Sequence, residues 1–66
     1  MQTFDLYLYK TVRVRTKDGR ILEGTVRSFE SAVSSKSGFP EMDIDYGDYA
    51  QVVDESEIET IEIIAE

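Results

Sequence analysis

From Thr11 the chain alternates with a period of two. Val12, Val14 and Thr16 point to one side, and Arg13, Arg15 and Lys17 to the other. Asp18 and Gly19 follow, a two-residue hairpin signal, because a type I′ turn needs positive φ at both central positions. Residues 21–29 read as the returning strand, with Gly24 set inside it. A glycine within a strand marks a bend, a bulge or a close backbone approach, any of which lets a strand curl. Residues 31–40 then carry four serines, one glycine and the only proline, which is the chemistry of a loop.

Alternation resumes at residue 41. Met42, Ile44 and Tyr46 share one face, with Glu41, Asp43 and Asp45 on the other. Gly47 and Asp48 can turn the chain into a fourth strand of Tyr49, Ala50, Gln51, Val52 and Val53. Residues 54–57 suit a single helical or 3₁₀ turn, since acidic groups are favoured near a helix N-terminus. A last strand over residues 59–64 puts Ile61 and Ile63 on one face, with Ile58 anchoring the turn before it. The first nine residues fit two patterns: Phe4, Leu6 and Leu8 alternate like a strand, while Phe4, Tyr7 and Leu8 share a helical face. Thr3 as an N-cap favours a short N-terminal helix over one open end of the fold. Five strands in so short a chain predict a single all-β domain, a small, strongly bent antiparallel barrel with a short N-terminal helix.

Composition narrows what such a domain can do. The chain has 66 residues and no cysteine, so neither a disulfide nor a cysteine-bound zinc supports its core. A chain of this length buries only about 60% of its unfolded surface, so self-association or a partner is a natural source of further burial. No apolar run approaches the ~20 residues of a membrane span and no charged-then-apolar leader opens the sequence, so a soluble, cytoplasmic protein with no membrane partner is expected. The net charge of −7 is uneven: residues 1–30 sum to +2 and residues 31–66 to −9. Such a field repels polyphosphate, which disfavours RNA and gives no expectation of DNA binding. With no histidine and no cysteine, the usual bases, nucleophiles and transition-metal ligands are missing. Gly19, Gly24, Gly38 and Gly47 are too dispersed to form a phosphate cradle. The expectation is a non-enzyme with no catalytic residue, no cofactor and no metal. Asp43, Asp45 and Gly47 share spacing with a calcium loop but lack its third ligand and its distal glutamate, so a solvated acidic face is the simpler account.

Val12, Val14, Asp18, Gly19, Gly24, Val26, Phe29 and Glu30 stand at the spacing of the first motif of Sm-like (LSm) proteins, which this chain resembles. The second motif of that family falls on residues 53–61. The resemblance covers nearly the whole chain and implies a short helix followed by a bent five-stranded sheet. It also implies an RNA pocket, and there the match ends. Ala32 stands where a base would stack, Ser34 where an asparagine would read the base edge, and Asp54 with Glu55 where an Arg-Gly pair would complete the site. Stacking platforms are worth roughly 1–3 kcal/mol per base, so the loss of one matters.

Two surfaces remain as candidates. The stripe Arg13, Arg15 and Lys17 could serve a divergent RNA-binding protein, or could be a solvated face paired with acids on neighbouring strands. A last strand beside the first would set Glu62 and Thr60 against these arginines. The segment Tyr49, Ala50, Gln51, Val52 and Val53 is uncharged within the acidic half. A strand edge without charge is open to pairing with another chain, and Sm-like rings assemble through such strands. The equally plain alternative is that this is simply the strand with the most interior burial. The favoured function is therefore a protein-interaction or assembly module, with a protein partner or self-association, ahead of the RNA-binding alternative.

Overall fold

The computed structural model describes residues 4–65. Alternation becomes five strands and two short 3₁₀ turns. A first turn, Phe4–Tyr7, precedes β1 (Thr11–Thr16), β2 (Ile21–Glu30), β3 (Glu41–Asp45) and β4 (Ala50–Asp54). A second turn, Glu55–Glu57, leads into β5 (Ile58–Ala65). They form one antiparallel sheet in the order β4-β3-β2-β1-β5. The proposed N-cap Thr3 lies outside the described residues. Among the described residues no helix is long and apolar enough to cross a membrane.

The sheet bends because β2 serves two neighbours with its two halves. Ile21 to Thr25 pair with β1, and Thr25 to Glu30 pair with β3, so the two ladders overlap only at Thr25. Gly24 sits at this handover. An ideal Cβ there would lie 2.6 Å from the Asp45 carbonyl oxygen and 2.8 Å from Ile44 Cγ2. A register shift between Val26 and Ser28 leaves Arg27 as an extra residue just beyond the bend. β5 carries two more shifts against β1, around Glu59 and Ile64, so eight residues span six. Bulges of this kind sharpen local twist and bend the bulged strand.

The bend folds the apolar face inward. Val12, Val14, Val26, Met42, Ile44 and Val53 are buried, Phe4 of the first turn joins them, and Tyr7, Leu22, Tyr46, Ile58 and Ile61 pack around this core. The expected inward sets of β1 and β3 are therefore the ones observed. Ile63 is the exception: it is as exposed as Ile64, because the bulge at the end of β5 breaks the alternation. The sheet is not closed into a barrel. Its ladders end at β4 and β5, which form the two edges.

The first hairpin differs from the expected two-residue type I′ turn. Among non-glycine residues described, only Tyr9 has positive φ, so Asp18 does not adopt the required conformation. Instead Thr16 and Arg20 close a three-residue loop: Thr16 N–H donates to the Arg20 carbonyl at 2.9 Å and Gly19 N–H to the Thr16 carbonyl at 3.0 Å. Gly19 alone takes the left-handed conformation, at φ 93°. This is the form in which a type I turn is followed by a glycine bulge. The buried Thr16 hydroxyl favours it, since it accepts the Arg20 N–H at 2.9 Å and donates to the Asp18 carboxylate.

Gly24→Ala is expected to destabilise the protein by about 2–3 kcal/mol in urea unfolding, because its methyl group meets backbone rather than a movable side chain. Gly19→Ala has open space but an unfavourable φ, and should cost about 1 kcal/mol. Equal effects at the two sites would contradict the close approach as the cause of the bend.

Candidate functional site

Of the basic stripe, Arg13 is the member engaged by its neighbours. Arg13 stands opposite Glu23 on one side and Glu62 on the other. Its Nε donates to Glu23 at 2.6 Å and its Nη1 to Glu62 at 3.2 Å. The Glu23 hydrogen bond, then its charge, raise the Arg13 pKa above its ordinary value, with Glu62 adding to this. Arg15 faces Ile21 and Thr60, as the strand order requires. The Lys17 backbone N–H donates to Glu57 at 2.9 Å, tying the hairpin to the second 3₁₀ turn. Arg20 adds an ion pair to Asp18 at 3.1 Å and reaches Glu57 at 3.9 Å. On the far side of the sheet, Arg27 bonds Asp43 at 2.9 Å. These pairs are solvent-exposed and individually weak. They give Arg13, Arg20 and Arg27 acidic partners within the chain, while Arg15 stands between the uncharged Ile21 and Thr60.

The acids of the calcium-like run are likewise occupied locally. Asp43 takes Arg27, and Asp45 accepts the Gly47 N–H at 2.8 Å. Among the described residues no group of three or more acidic side chains is placed to hold a metal ion.

The positions that the Sm-like resemblance assigns to an RNA pocket do gather at one end of the sheet. Glu55 N–H donates to the Pro40 carbonyl at 2.8 Å, which holds the loop of residues 31–40 against the second 3₁₀ turn. Within that loop, Ser35 N–H donates to the Ser31 carbonyl at 3.0 Å, and Ser35 Oγ donates to the Phe39 carbonyl at 2.6 Å. Its serines thus fasten the loop to itself. Ala32 is exposed, and Asp54 uses its carboxylate to accept the Ser56 N–H at 2.8 Å as the cap of the turn. Glu30 stands opposite Glu41, and Glu41 opposite Asp54, so three carboxylates cross neighbouring strands in a row. Phosphate would meet like charge there.

The uncharged segment lies on an edge. β4 pairs with β3 on one side only. Alternate N–H and C=O groups of an antiparallel edge strand face outward and can accept a further strand. Val53 is buried, Ala50 and Gln51 are half-buried, and Val52 and Tyr49 are 56% and 64% exposed. Val53 alone of β4 is fully buried, against three residues of β1, so the segment is not the strand with the most interior burial, and Val52 faces solvent. Tyr49 leans on Tyr46 with ring centroids 4.9 Å apart, and the Tyr46 hydroxyl donates to Gln51 at 3.2 Å. Burial first, and Tyr49 second, push the Tyr46 phenol above its ordinary pKa.

Sequence reasoning missed the opposite edge. Among the described residues β5 pairs only with β1, and Ile63 and Ile64 at its end are each 40% exposed. Two adjacent isoleucines in an alternating strand were the available signal. It also missed a cavity of about 290 Å³ lined by Phe4, Glu55, Ile58, Glu59, Thr60 and Ile61, which brings the first turn, the second turn and β5 together. Comparison with protein-family models, curated proteins and solved structures gives no match. The Sm-like resemblance therefore rests on the residues of this chain.

The hairpin lock carries a pH signature. The Thr16 hydroxyl first, then the Arg20 side chain, hold the Asp18 pKa below its ordinary value of 3.8. A carboxylate depressed on folding stabilises the native state above its unfolded pKa, and that stabilisation is lost as pH falls through the folded value. Urea midpoints should therefore decline as acid is added below about pH 4, and Asp18→Asn should flatten part of that decline. An acid limb identical in the variant and the parent would show that Asp18 contributes nothing to it.

Proposed function

We propose that this chain is an Sm-like small barrel that acts as a non-enzymatic protein-interaction module, with β4 as the strand that receives a partner. The observation that carries this reading is the free β4 edge, uncharged from residue 49 to 53 and exposed at Val52 and Tyr49. The bent sheet, with its ladders ending at β4 and β5, fits a barrel whose wall is completed by a strand from outside. Main-chain hydrogen bonds would supply affinity, and the alternating side chains of the added strand would supply selectivity. The engagement of Arg13 by two carboxylates, and the acidic row at the loop end, weigh against the RNA reading.

A second copy is the partner that can be assayed directly. At low ionic strength the −7 charge keeps copies apart. Near 1 M salt the screening length falls to about 3 Å, and edge pairing between copies should become visible. Size-exclusion chromatography with light scattering should then show species larger than the monomer, and Val52→Lys should return them to monomer without loss of circular dichroism. A strict monomer at high concentration in both salts would count decisively against the edge. Fluorescence anisotropy with uridine-rich and adenine-rich RNA should detect no specific binding at low salt. Micromolar, salt-sensitive binding abolished by Arg13→Glu with Arg15→Glu would replace this proposal with the RNA reading.

A further inference from the structure

The cavity beside β5 is lined by apolar Phe4, Ile58 and Ile61 together with acidic Glu55 and Glu59. Phe4 is buried and Ile58 and Ile61 pack against the core, so the apolar lining belongs to the rigid part of the fold. Neither of these carboxylates has a cationic partner among the described residues, whereas the intervening Glu57 is reached by Arg20. Four of the six lining residues are consecutive on β5, an edge strand. A ligand that fits must therefore be apolar along its length, positive at its end, and able to come from a chain lying beside a strand edge.

We propose that this cavity receives the side chain of an arginine or lysine carried by an extended segment of a basic partner protein. Long cationic side chains lay their methylenes on apolar surface while the charged head stays at a polar rim. The half-buried Ile58 and Ile61, lying over the buried Phe4, offer that surface, and Glu55 and Glu59 offer acceptors for a guanidinium or ammonium group. Charge selects the source. Residues 31–66, which include both edges and the two cavity carboxylates, carry −9, so a second copy would bring like charge to this site. A basic segment would bring the opposite. The inference rests on the reading of the chain as an interaction module, and names the chemistry of its partner.

The test is a titration of the protein with N-acetyl-arginine amide, followed by amide chemical shifts in ¹H–¹⁵N spectra. The neutral isostere N-acetyl-citrulline amide is the control. The arginine probe should give saturable shifts confined to Glu55 and residues 58–61, with the citrulline probe roughly threefold to tenfold weaker, the effect of two part-exposed ion pairs. Glu55→Gln with Glu59→Gln should weaken the arginine probe by the same factor while leaving thermal unfolding unchanged. Val52→Lys, on the other edge, should leave the titration unaltered. Equal binding of both probes, shifts spread over every carboxylate-bearing strand, or no saturable shift would each overturn the proposal. Salt-induced self-association blocked by Val52→Lys would survive that failure, so the cavity and the β4 edge are judged separately.

Discussion

The structure depends on the contact of β2 with the end of β3 at Gly24. A side chain there would collide with the Asp45 carbonyl and Ile44, so only glycine allows the second half of β2 to turn away from β1 and meet β3. The fold follows from that turn. It brings Met42 and Ile44 over Val12, Val14 and Val26, and creates an interior from strands that each have only one apolar face. The bulges at Arg27, Glu59 and Ile64 continue the curvature along both flanks. A flat sheet of these residues would leave its one apolar face in water.

Bending also decides where the charges go. The outward residues of β1 lie between β2 and β5, and the acids of those strands stand opposite Arg13. The basic first half of the chain and the acidic second half therefore interleave on one outer surface. Arg13, at the centre of the apparent positive patch, is matched in this way. The excess acid collects where the ladder ends, around Glu41, Asp54, Glu55 and Glu59. A chain whose sequence halves look like separate electrostatic territories becomes, once folded, a balanced wall with acidic margins.

Those margins coincide with the two free strand edges, and this gives the functional reading its physical basis. An exposed edge is usually protected by charge within the strand. β4 carries its acid at its end, at Asp54, and leaves the preceding residues uncharged. In the proposed reading, this arrangement would oppose association between copies and leave backbone groups for a strand of opposite charge. Specificity by repulsion and affinity by backbone pairing are separate contributions, and here they sit on neighbouring residues.

The sequence alone was enough for the five strands and for the inward faces of β1 and β3. The period of two at Val12, Val14 and Thr16, and again at Met42 and Ile44, reflects a pleat that is local to each strand. The turn over Glu55–Glu57 was legible for the same reason, while Asp54, read as part of it, serves instead as its cap. The hairpin was legible in place but not in type, because a buried Thr16 hydroxyl set the loop length and burial is not a local property. At the candidate site, Tyr49 to Val53 could be read as uncharged, but not as an edge with Val52 out and Val53 in. The exposed end of β5 and the cavity over Phe4 required contacts between residues more than fifty positions apart. Local sequence determined what each segment is; only the tertiary structure decided which segments have neighbours, because strand adjacency is fixed by the bend at Gly24 and the burial it permits.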